Sequence, residues 1–555
     1  MIKRDEVLHF FIIPLIIGIL GGFSAILFRK FIELFQILAQ KIDFGHNTLF
    51  IFAVIPPIFV FSNLLVHKFL REHPAITLDN IAKKIALHGG EFSPLRGFFV
   101  TVLTALNIGF GLPVGREAPI AKLGALMGEV FLKTAKVSKL DLPLYLASAV
   151  SSAIAATFNA PLAGIILGLE IIIGRVNLYI LIPLIVASTT ATLIAREFLG
   201  DFTAFYVPHL PFKDIYFYLV PVEGLIFAIV ALFMFYSFDF FRTIRVTFRK
   251  FWYPIVFVNG LITSSLLAIS PEIRGVGYGY ITQLFHFQYG FWKSLEISFL
   301  KFWAVVFTIG SGLFGGLMSP SIFIGAFGGF SLGELFTHWG VDPRVLALAG
   351  SVAMLAGVSR APLRSTVIVI ELTHAYQLLL PSLIAASITS FLVAKFEPGS
   401  YFRRNLIQKG IDVDDPEVWN FLQTVNFRKY LVKIPPVYEN TSISRALKVF
   451  RKVHIRYLPV VDGEKRLVGI LSVRDLVKLL KDFHNARVKD IMSKSPVVIK
   501  ENASTDEVIR ILGLVGTQYV PLVDKDNRYL GMVDMHKLFK DIALAKHKPV
   551  AEINY

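Results

Sequence analysis

Gly115-Arg116-Glu117-Ala118-Pro119 interrupts an apolar stretch with a glycine, two charges and a proline. Gly115 and Pro119 mark a helix break, with Pro119 opening the helix that follows at its first turn. A helix start carries partial positive charge and N–H groups without intrahelical partners, so it holds an anion without needing a cation. Glu117 lies at that start. A charge at membrane depth costs about 2.5–3.5 kcal/mol on insertion scales, so a carboxylate there reads as functional. Ionised, it would occupy the anion site; protonated, it would leave, acting as both gate and proton carrier. The competing reading pairs Glu117 with Arg116 or puts it at the membrane interface.

The same pattern returns 201 residues later. Gly316-Leu317-Met318-Ser319-Pro320 repeats the G-x-x-x-P spacing without a carboxylate. At that spacing Gly124-Ala125 meets Gly325-Ala326, Ala160-Pro161-Leu162 meets Ala361-Pro362-Leu363, and Glu170 meets Glu371. Four landmarks at one spacing argue for an internal duplication. Paired Gly/Pro-interrupted segments in two halves point to a transport site. The backbone N–H groups of Gly316, Leu317 and Met318 would complete an anion cage from the second copy; the alternative is close helix packing by small residues. Glu170 is a candidate proton relay or a buried structural carboxylate. Glu371 reads as a buried structural carboxylate hydrogen-bonded to backbone.

Around these motifs the chain is apolar from about residue 8 to about 396. Long runs lie near 8–28, 50–70, 176–196, 215–237, 252–269, 293–309 and 379–395. Shorter pieces at 98–114, 119–133, 142–158, 161–174, 313–336, 344–358 and 361–373 are broken by Gly and Pro. Several are too short to span a hydrocarbon core of roughly 30 Å. Broken helices survive at that depth where protein or a water-filled cavity surrounds the freed backbone groups. The first run, Phe10–Phe28, has no clean small-residue cleavage site after it and reads as a retained helix.

Of 555 residues, 54% are hydrophobic and 17% charged, too few charges for the surface of a soluble chain of this size. The net charge of +16 comes without a nucleic-acid recognition motif, so it reads as basic loops and ends against anionic headgroups. The absence of Cys excludes disulfides and thiolate chemistry. Neither G-x-S-x-G nor H-E-x-x-H occurs, which leaves an intramembrane enzyme resting only on Glu117 and Glu170 as an acid/base pair.

Beyond Glu397 the character changes. Residues 397–430 are polar and basic, and 431–545 alternate short strands, helices and Asp/Gly/Asn turns. Here a second duplication has a spacing of 62: Tyr457-Leu458-Pro459-Val460-Val461-Asp462 matches Tyr519-Val520-Pro521-Leu522-Val523-Asp524, and Leu467-Val468-Gly469-Ile470 matches Tyr529-Leu530-Gly531-Met532. The expected organisation is a membrane domain over 1–410, with halves near 1–200 and 210–410, a linker at 411–430, and an α/β tail in two copies at about 431–485 and 488–545.

Gly115–Pro119, Gly316–Pro320, Phe158-Asn159-Ala160-Pro161-Leu162-Ala163-Gly164 and Ala356-Gly357-Val358-Ser359-Arg360-Ala361-Pro362-Leu363 together resemble the CLC family of chloride channels and proton–chloride antiporters, and the tail resembles a pair of CBS motifs. The resemblance implies an all-α polytopic membrane protein with broken helices and an inverted repeat, followed by an α/β CBS pair. It implies a homodimer with one chloride pathway per subunit and both termini cytoplasmic, in a plasma or inner membrane. Glu117 takes the gating role, framed by Gly115, Arg116 and Ala118, and Met318 stands where the family has Phe. The family's first anion motif falls in the window His73–Asp79, where Ile76 stands at the central hydroxyl position with Thr77 beside it. The family's central Tyr is Tyr401 by residue type or Phe402 by register from Gly410. Antiporters of the family carry a proton glutamate where this chain has Ile171, which favours a channel or uncoupled carrier over proton exchange. In the tail, Gly469-Ile470-Leu471-Ser472-Val473-Arg474-Asp475 resembles the nucleotide-contacting stretch of CBS motifs. Ser472 and Asp475 are thereby implied to hold the phosphate and ribose of an adenine nucleotide. The second copy, Gly531–Lys537, lacks that pattern, and a purely structural, dimerising tail is the alternative. No other cofactor and no metal are expected.

Overall fold

The computed structural model describes residues 7–41, 48–65, 94–135, 137, 141–169, 178–201, 203–210, 213–248, 251–397, 425–453, 457–472, 487–494, 496–501, 503, 511 and 518–545. It divides into two compact units, Met1–Glu397 and Pro398–Tyr555.

The first unit is helical. A short π-helical turn, Leu8–Ile12, leads into α1 (Ile13–Lys41), followed by α2 (Thr48–Leu64), α3 (Pro94–Gly109), α4 (Glu117–Thr134), α5 (Leu142–Phe158), α6 (Pro161–Leu167) and α7 (Leu178–Leu199). The second half has α8 (Tyr216–Thr247), α9 (Trp252–Ile269), α10 (Tyr278–Phe285), α11 (Phe291–Gly310), α12 (Met318–Glu334), α13 (Pro343–Ser359), α14 (Pro362–Thr373) and α15 (Leu379–Phe396). Among the described residues, five helices are long and apolar enough to cross a membrane: Leu8–Lys41, Tyr179–Leu199, Tyr216–Arg245, Trp252–Ile269 and Tyr376–Phe396. Shorter apolar helices, such as Leu142–Phe158 and Pro343–Ser359, are buried by their neighbours instead. The chain is a multi-pass membrane protein.

The duplication is written in backbone angles as well as in residues. Arg116 precedes α4 at φ −100°, ψ −6°; Leu317 precedes α12 at φ −103°, ψ −12°. Helices α5 and α13 both end on a left-handed residue, Asn159 at φ 55° and Arg360 at φ 56°. Asn tolerates that conformation and Arg rarely adopts it. An extended alanine follows in each copy, Ala160 at φ −134° and Ala361 at φ −133°, and then Pro161 or Pro362 opens the next helix. The match also reaches back beyond the motifs to Gly111 (φ 81°) and Gly312 (φ 88°). Their N–H groups bond to Ile108 and Ile309, while Leu112 and Leu313 bond to Asn107 and Thr308.

Small residues let the broken helices approach. A Cβ on Gly124 would lie 2.5 Å from that of Ala153 and 2.6 Å from the Ala149 carbonyl, between α4 and α5. At the equivalent place in the second copy, a Cβ on Gly350 would lie 2.6 Å from the carbonyl of Gly325. Such backbone-to-backbone contact supplies the dispersion energy that holds helices together where lipid removes the hydrophobic drive.

The second unit holds two small sheets. One has the order β2 (Val437–Tyr438), β3 (Tyr457–Val461), β4 (Leu467–Ser472); the other pairs β1 (Leu431–Val432) with β7 (Tyr529–Asp534), then β6 (Tyr519–Val523), then β5 (Ile499–Lys500). The copies match in register. Val437 pairs with Val460 as Ile499 pairs with Leu522, and both hairpins shift register at Val460/Val461 and Leu522/Val523. Each hairpin turns on an Asp, Asp462 or Asp524, that accepts from its own loop N–H groups, and on a left-handed residue, Lys465 or Asn527. The two turns join each other. Leu467 N–H donates to Asn527 O (2.9 Å) and Tyr529 N–H to Lys465 O (3.0 Å), around the antiparallel bridge Arg466–Arg528. Equivalent residues bonded reciprocally across an antiparallel bridge define a local two-fold axis.

Candidate functional site

The same signature marks the membrane unit. Gly115 N–H donates to Gly316 O and Gly316 N–H donates to Gly115 O, each at 2.8 Å. This antiparallel bridge joins the two motif loops at equivalent positions, so the copies pass each other in opposite directions here, as an inverted pair requires. Two helices start immediately after the bridge, α4 at Glu117 and α12 at Met318, and neither has a side-chain cap. Their first-turn N–H groups are therefore left to other partners.

Glu117 takes one of them. Its side chain is buried, and Oε1 accepts from the backbone N–H of Met318, across the bridge at the start of the other helix. Oε2 has no hydrogen-bond partner. The carboxyl group rests against both bridging glycines; a Cβ on Gly316 would collide with its Oε1 and Cδ, and one on Gly115 with Oε2. Glycine is required at both positions by this approach alone.

Arg116 makes no hydrogen-bonded ion pair with Glu117, though the two charges attract each other. Its guanidinium lies 4.8 Å over the Phe158 ring and 5.8 Å from that of Tyr278, and its buried Nε makes no hydrogen bond. Aromatic faces attract a cation and hold the guanidinium in place. Ala118 and Ser319, at equivalent positions of the two first turns, are buried, and Ser319 Oγ accepts from Tyr278 Oη at 3.1 Å. Gly115, Arg116, Glu117, Ala118, Gly316, Leu317 and Met318 thus converge on one point. Ile76, Thr77, Glu170, Ile171, Tyr401, Phe402 and Asp475 lie outside the described residues; Ser472 ends β4.

Sequence reasoning missed Tyr278 and Lys301. Tyr278 follows Gly277, whose φ of 83° turns the chain into α10 against the Phe323 ring. Lys301 is fully buried on α11 and donates to the carbonyls of Ile273 (2.8 Å) and Gly275 (2.6 Å), with Nζ 4.5 Å from the Phe323 ring centroid. Gly275 N–H in turn donates to Gly111 O at 2.8 Å. The loop that delivers Tyr278 is thereby tied to the loop that delivers Glu117. The available signals were the glycine-rich Gly275-Val276-Gly277-Tyr278-Gly279 and a lysine inside an apolar run. Three asparagines fix the second motif loop: Asn63 and Asn259 bond to Ser311, and Asn107 donates to Phe314 O at 3.2 Å.

Glu371 is hydrogen-bonded to backbone. Its two oxygens accept from Leu162 N–H (3.0 Å) and Ala163 N–H (2.7 Å), so a carboxylate of the second copy caps α6 of the first. Glu371→Ala leaves two first-turn N–H groups without acceptors, and the buried one, that of Ala163, costs about 1–3 kcal/mol. The expected result is a clear fall in the unfolding temperature of the purified protein in detergent, with Glu371→Gln falling less because one acceptor remains. An unchanged midpoint for the alanine variant would show that the cap is dispensable.

Comparison with known proteins agrees with this geometry. Residues 58–395 match the voltage gated chloride channel family model, and residues 430–482 and 488–544 each match the CBS domain model. The chain is 28% identical over 327 residues to the voltage-gated ClC-type chloride channel ClcB of Salmonella typhi, covering 57% of this chain and 77% of that protein. It is 27% identical over 448 residues to the H(+)/Cl(−) exchange transporter ClcA of Klebsiella pneumoniae (strain 342), covering 75% and 92%. In fold it is similar to a eukaryotic CLC transporter (TM-score 0.67, 18% identity, 96% of this chain and 98% of that one) and to a CLC-type fluoride/proton antiporter (TM-score 0.60, 22% identity, 71% and 98%). With more than half its length matched by the family model and its paired motif loops bridged at the glycines, the chain belongs to the voltage gated chloride channel family and carries a C-terminal pair of CBS domains.

Proposed function

We propose that this member of an anion-transporting family moves chloride, or a halide of similar size, past Glu117, whose carboxylate holds the anion's place when the path is closed. The observation that carries the reading is the hydrogen bond from Met318 N–H to Glu117 across the glycine bridge. A carboxylate and a halide compete for the same backbone donor at a helix start. Protonation removes the charge that wins this competition, and the side chain gives way to the anion. Arg116, held on Phe158 and Tyr278 beside Glu117, adds a positive field that favours an anion once the Glu117 charge is gone.

Passive or uncoupled movement is the favoured mode. Ile171 stands where the resemblance places a proton-carrying glutamate in exchangers, which leaves no carboxylate at that position. Proton–chloride exchange is the second reading, favoured by the similarity to an exchange transporter over most of the chain. The reversal potential in a planar bilayer under opposed chloride and pH gradients separates them. Uncoupled movement puts it at the chloride equilibrium value whatever the pH gradient; a shift with pH would establish exchange. Radioactive chloride uptake into proteoliposomes separates both from an intramembrane enzyme, which would move none.

A further inference from the structure

Glu223, on α8, is fully buried, and neither carboxyl oxygen has a hydrogen-bond partner. It points into a notch between α12 and α13. A Cβ on Gly329 or Gly350 would lie 2.6 or 2.7 Å from Oε1, and the Leu346 carbonyl borders the same spot at Gly329. The polar neighbour is thus an acceptor. An ionised carboxylate has nothing to donate to it, whereas a carboxylic acid has one O–H.

Among the described residues, the charges on the helices packed against α8 are engaged elsewhere: Arg360, at the end of α13, lies 4.6 Å over the Phe235 ring, about three turns along α8 from Glu223. On α11, Lys301 is turned to the carbonyls of Ile273 and Gly275, and Lys293 pairs with Glu296. On α13, Arg344 is bound to Asp342. Glu334, an acid and so no counter-charge, ends α12 five residues beyond Gly329, Lys395 is exposed near the end of α15, and Asp239 and Arg245 lie four or more turns along α8 itself. A buried, unpaired carboxylate in such a place takes up a proton rather than bear the cost of its charge.

Gly329 lies eleven residues from Met318 on α12, about 16 Å at 1.5 Å per residue. The helix whose first N–H holds Glu117 is therefore the helix that Glu223 abuts. We propose that Glu223 is a second proton-binding site of the transport domain, neutral where α8, α12 and α13 meet, whose ionisation unseats α12 and loosens its hold on Glu117. In that step the O–H proton passes to entering water and the carboxylate stays on α8. The protonated state stands on the notch alone; the effect on transport rests on the reading of Glu117 as the gate.

Two measurements test it on the full-length protein. Infrared spectra of the purified protein at neutral pH are expected to show a protonated-carboxyl C=O band that disappears in Glu223→Gln, a variant that keeps a donor and the side-chain size. Identical spectra would overturn the proposal. Anion flux in proteoliposomes is expected to rise towards both acid and alkaline pH, the acid limb from Glu117 and the alkaline limb from Glu223, changing about ten-fold per pH unit where one proton governs it. Glu223→Gln and Glu223→Ile should both lose the alkaline limb and keep the acid one. An alkaline limb that persists in both would overturn the proposal while leaving the gate intact. Loss of the acid limb from the unmodified protein would instead count against the gate.

Discussion

Replacing Glu117 by alanine is expected to raise anion flux and to flatten its dependence on pH. The carboxylate accepts a backbone N–H at the start of α12, in a buried setting with both bridging glycines pressed against it. Hydrogen bonds to a charged group contribute about 1.5–3 kcal/mol. Each 1.4 kcal/mol is about ten-fold in occupancy, so removing this internal competitor should raise anion occupancy and flux about ten- to a hundred-fold. The sign with pH follows from the competition. Protonation neutralises Glu117 and weakens its hold on Met318, so flux through the unmodified protein rises as pH falls. The alanine variant has nothing to protonate there and should stay high throughout. Glu117→Gln keeps an acceptor oxygen but no charge, and should give intermediate flux with no acid limb. Chloride efflux from proteoliposomes at acid and neutral pH reads all three. Flux and pH response in Glu117→Ala equal to those of the unmodified protein would show that Glu117 is not the gate.

Replacing Gly316 by alanine is expected to block the path even when Glu117 is gone. The new methyl would sit on the carboxyl group of Glu117, and therefore on the place the anion takes when that group leaves. Overpacking of this kind costs about 1–3 kcal/mol and forces the surrounding backbone to shift. Here the backbone that must shift is the reciprocal bridge to Gly115. In the Glu117→Ala background, Gly316→Ala should remove most of the gain in flux, about ten-fold or more. If the two changes act independently, with the double variant as active as Glu117→Ala, the anion and the carboxylate do not share a site. Circular dichroism and retention on gel filtration distinguish a blocked path from a protein that fails to fold.

The duplication was legible in the sequence because its landmarks are residues with strong backbone demands. Gly115/Gly316, Pro119/Pro320 and Pro161/Pro362 recur because each break needs the same angles. Ile108-Gly109-Phe110-Gly111-Leu112 and Ile309-Gly310-Ser311-Gly312-Leu313 share that spacing too, and the positive φ of Gly111 and Gly312 gives the reason for the recurring glycine. That Glu117 meets the second copy was an expectation; that it does so through the amide of Met318 depends on the bridge, which no linear pattern encodes. A carboxylate at Glu371 bonded to backbone is legible in the sequence, but its partner helix, α6, comes from the other copy and is not. Tyr278, Lys301 and Glu223 were not legible as site residues at all. Each is a single polar group in apolar or glycine-rich surroundings, and its significance comes from what tertiary packing puts beside it. In the tail, strands and turns were readable from Pro/Val/Asp patterns, whereas the Arg466–Arg528 bridge between the copies was not.

The central claim is that a halide and the Glu117 carboxylate take the same place, at the amide of Met318 beside the Gly115–Gly316 bridge. Anomalous diffraction from crystals of Glu117→Ala grown in bromide tests it most directly. A bromide peak within hydrogen-bond distance of Met318 N, weak or absent at that point in crystals of the unmodified protein at neutral pH, is the expected result. Bromide bound only elsewhere in the Glu117→Ala crystals would contradict it.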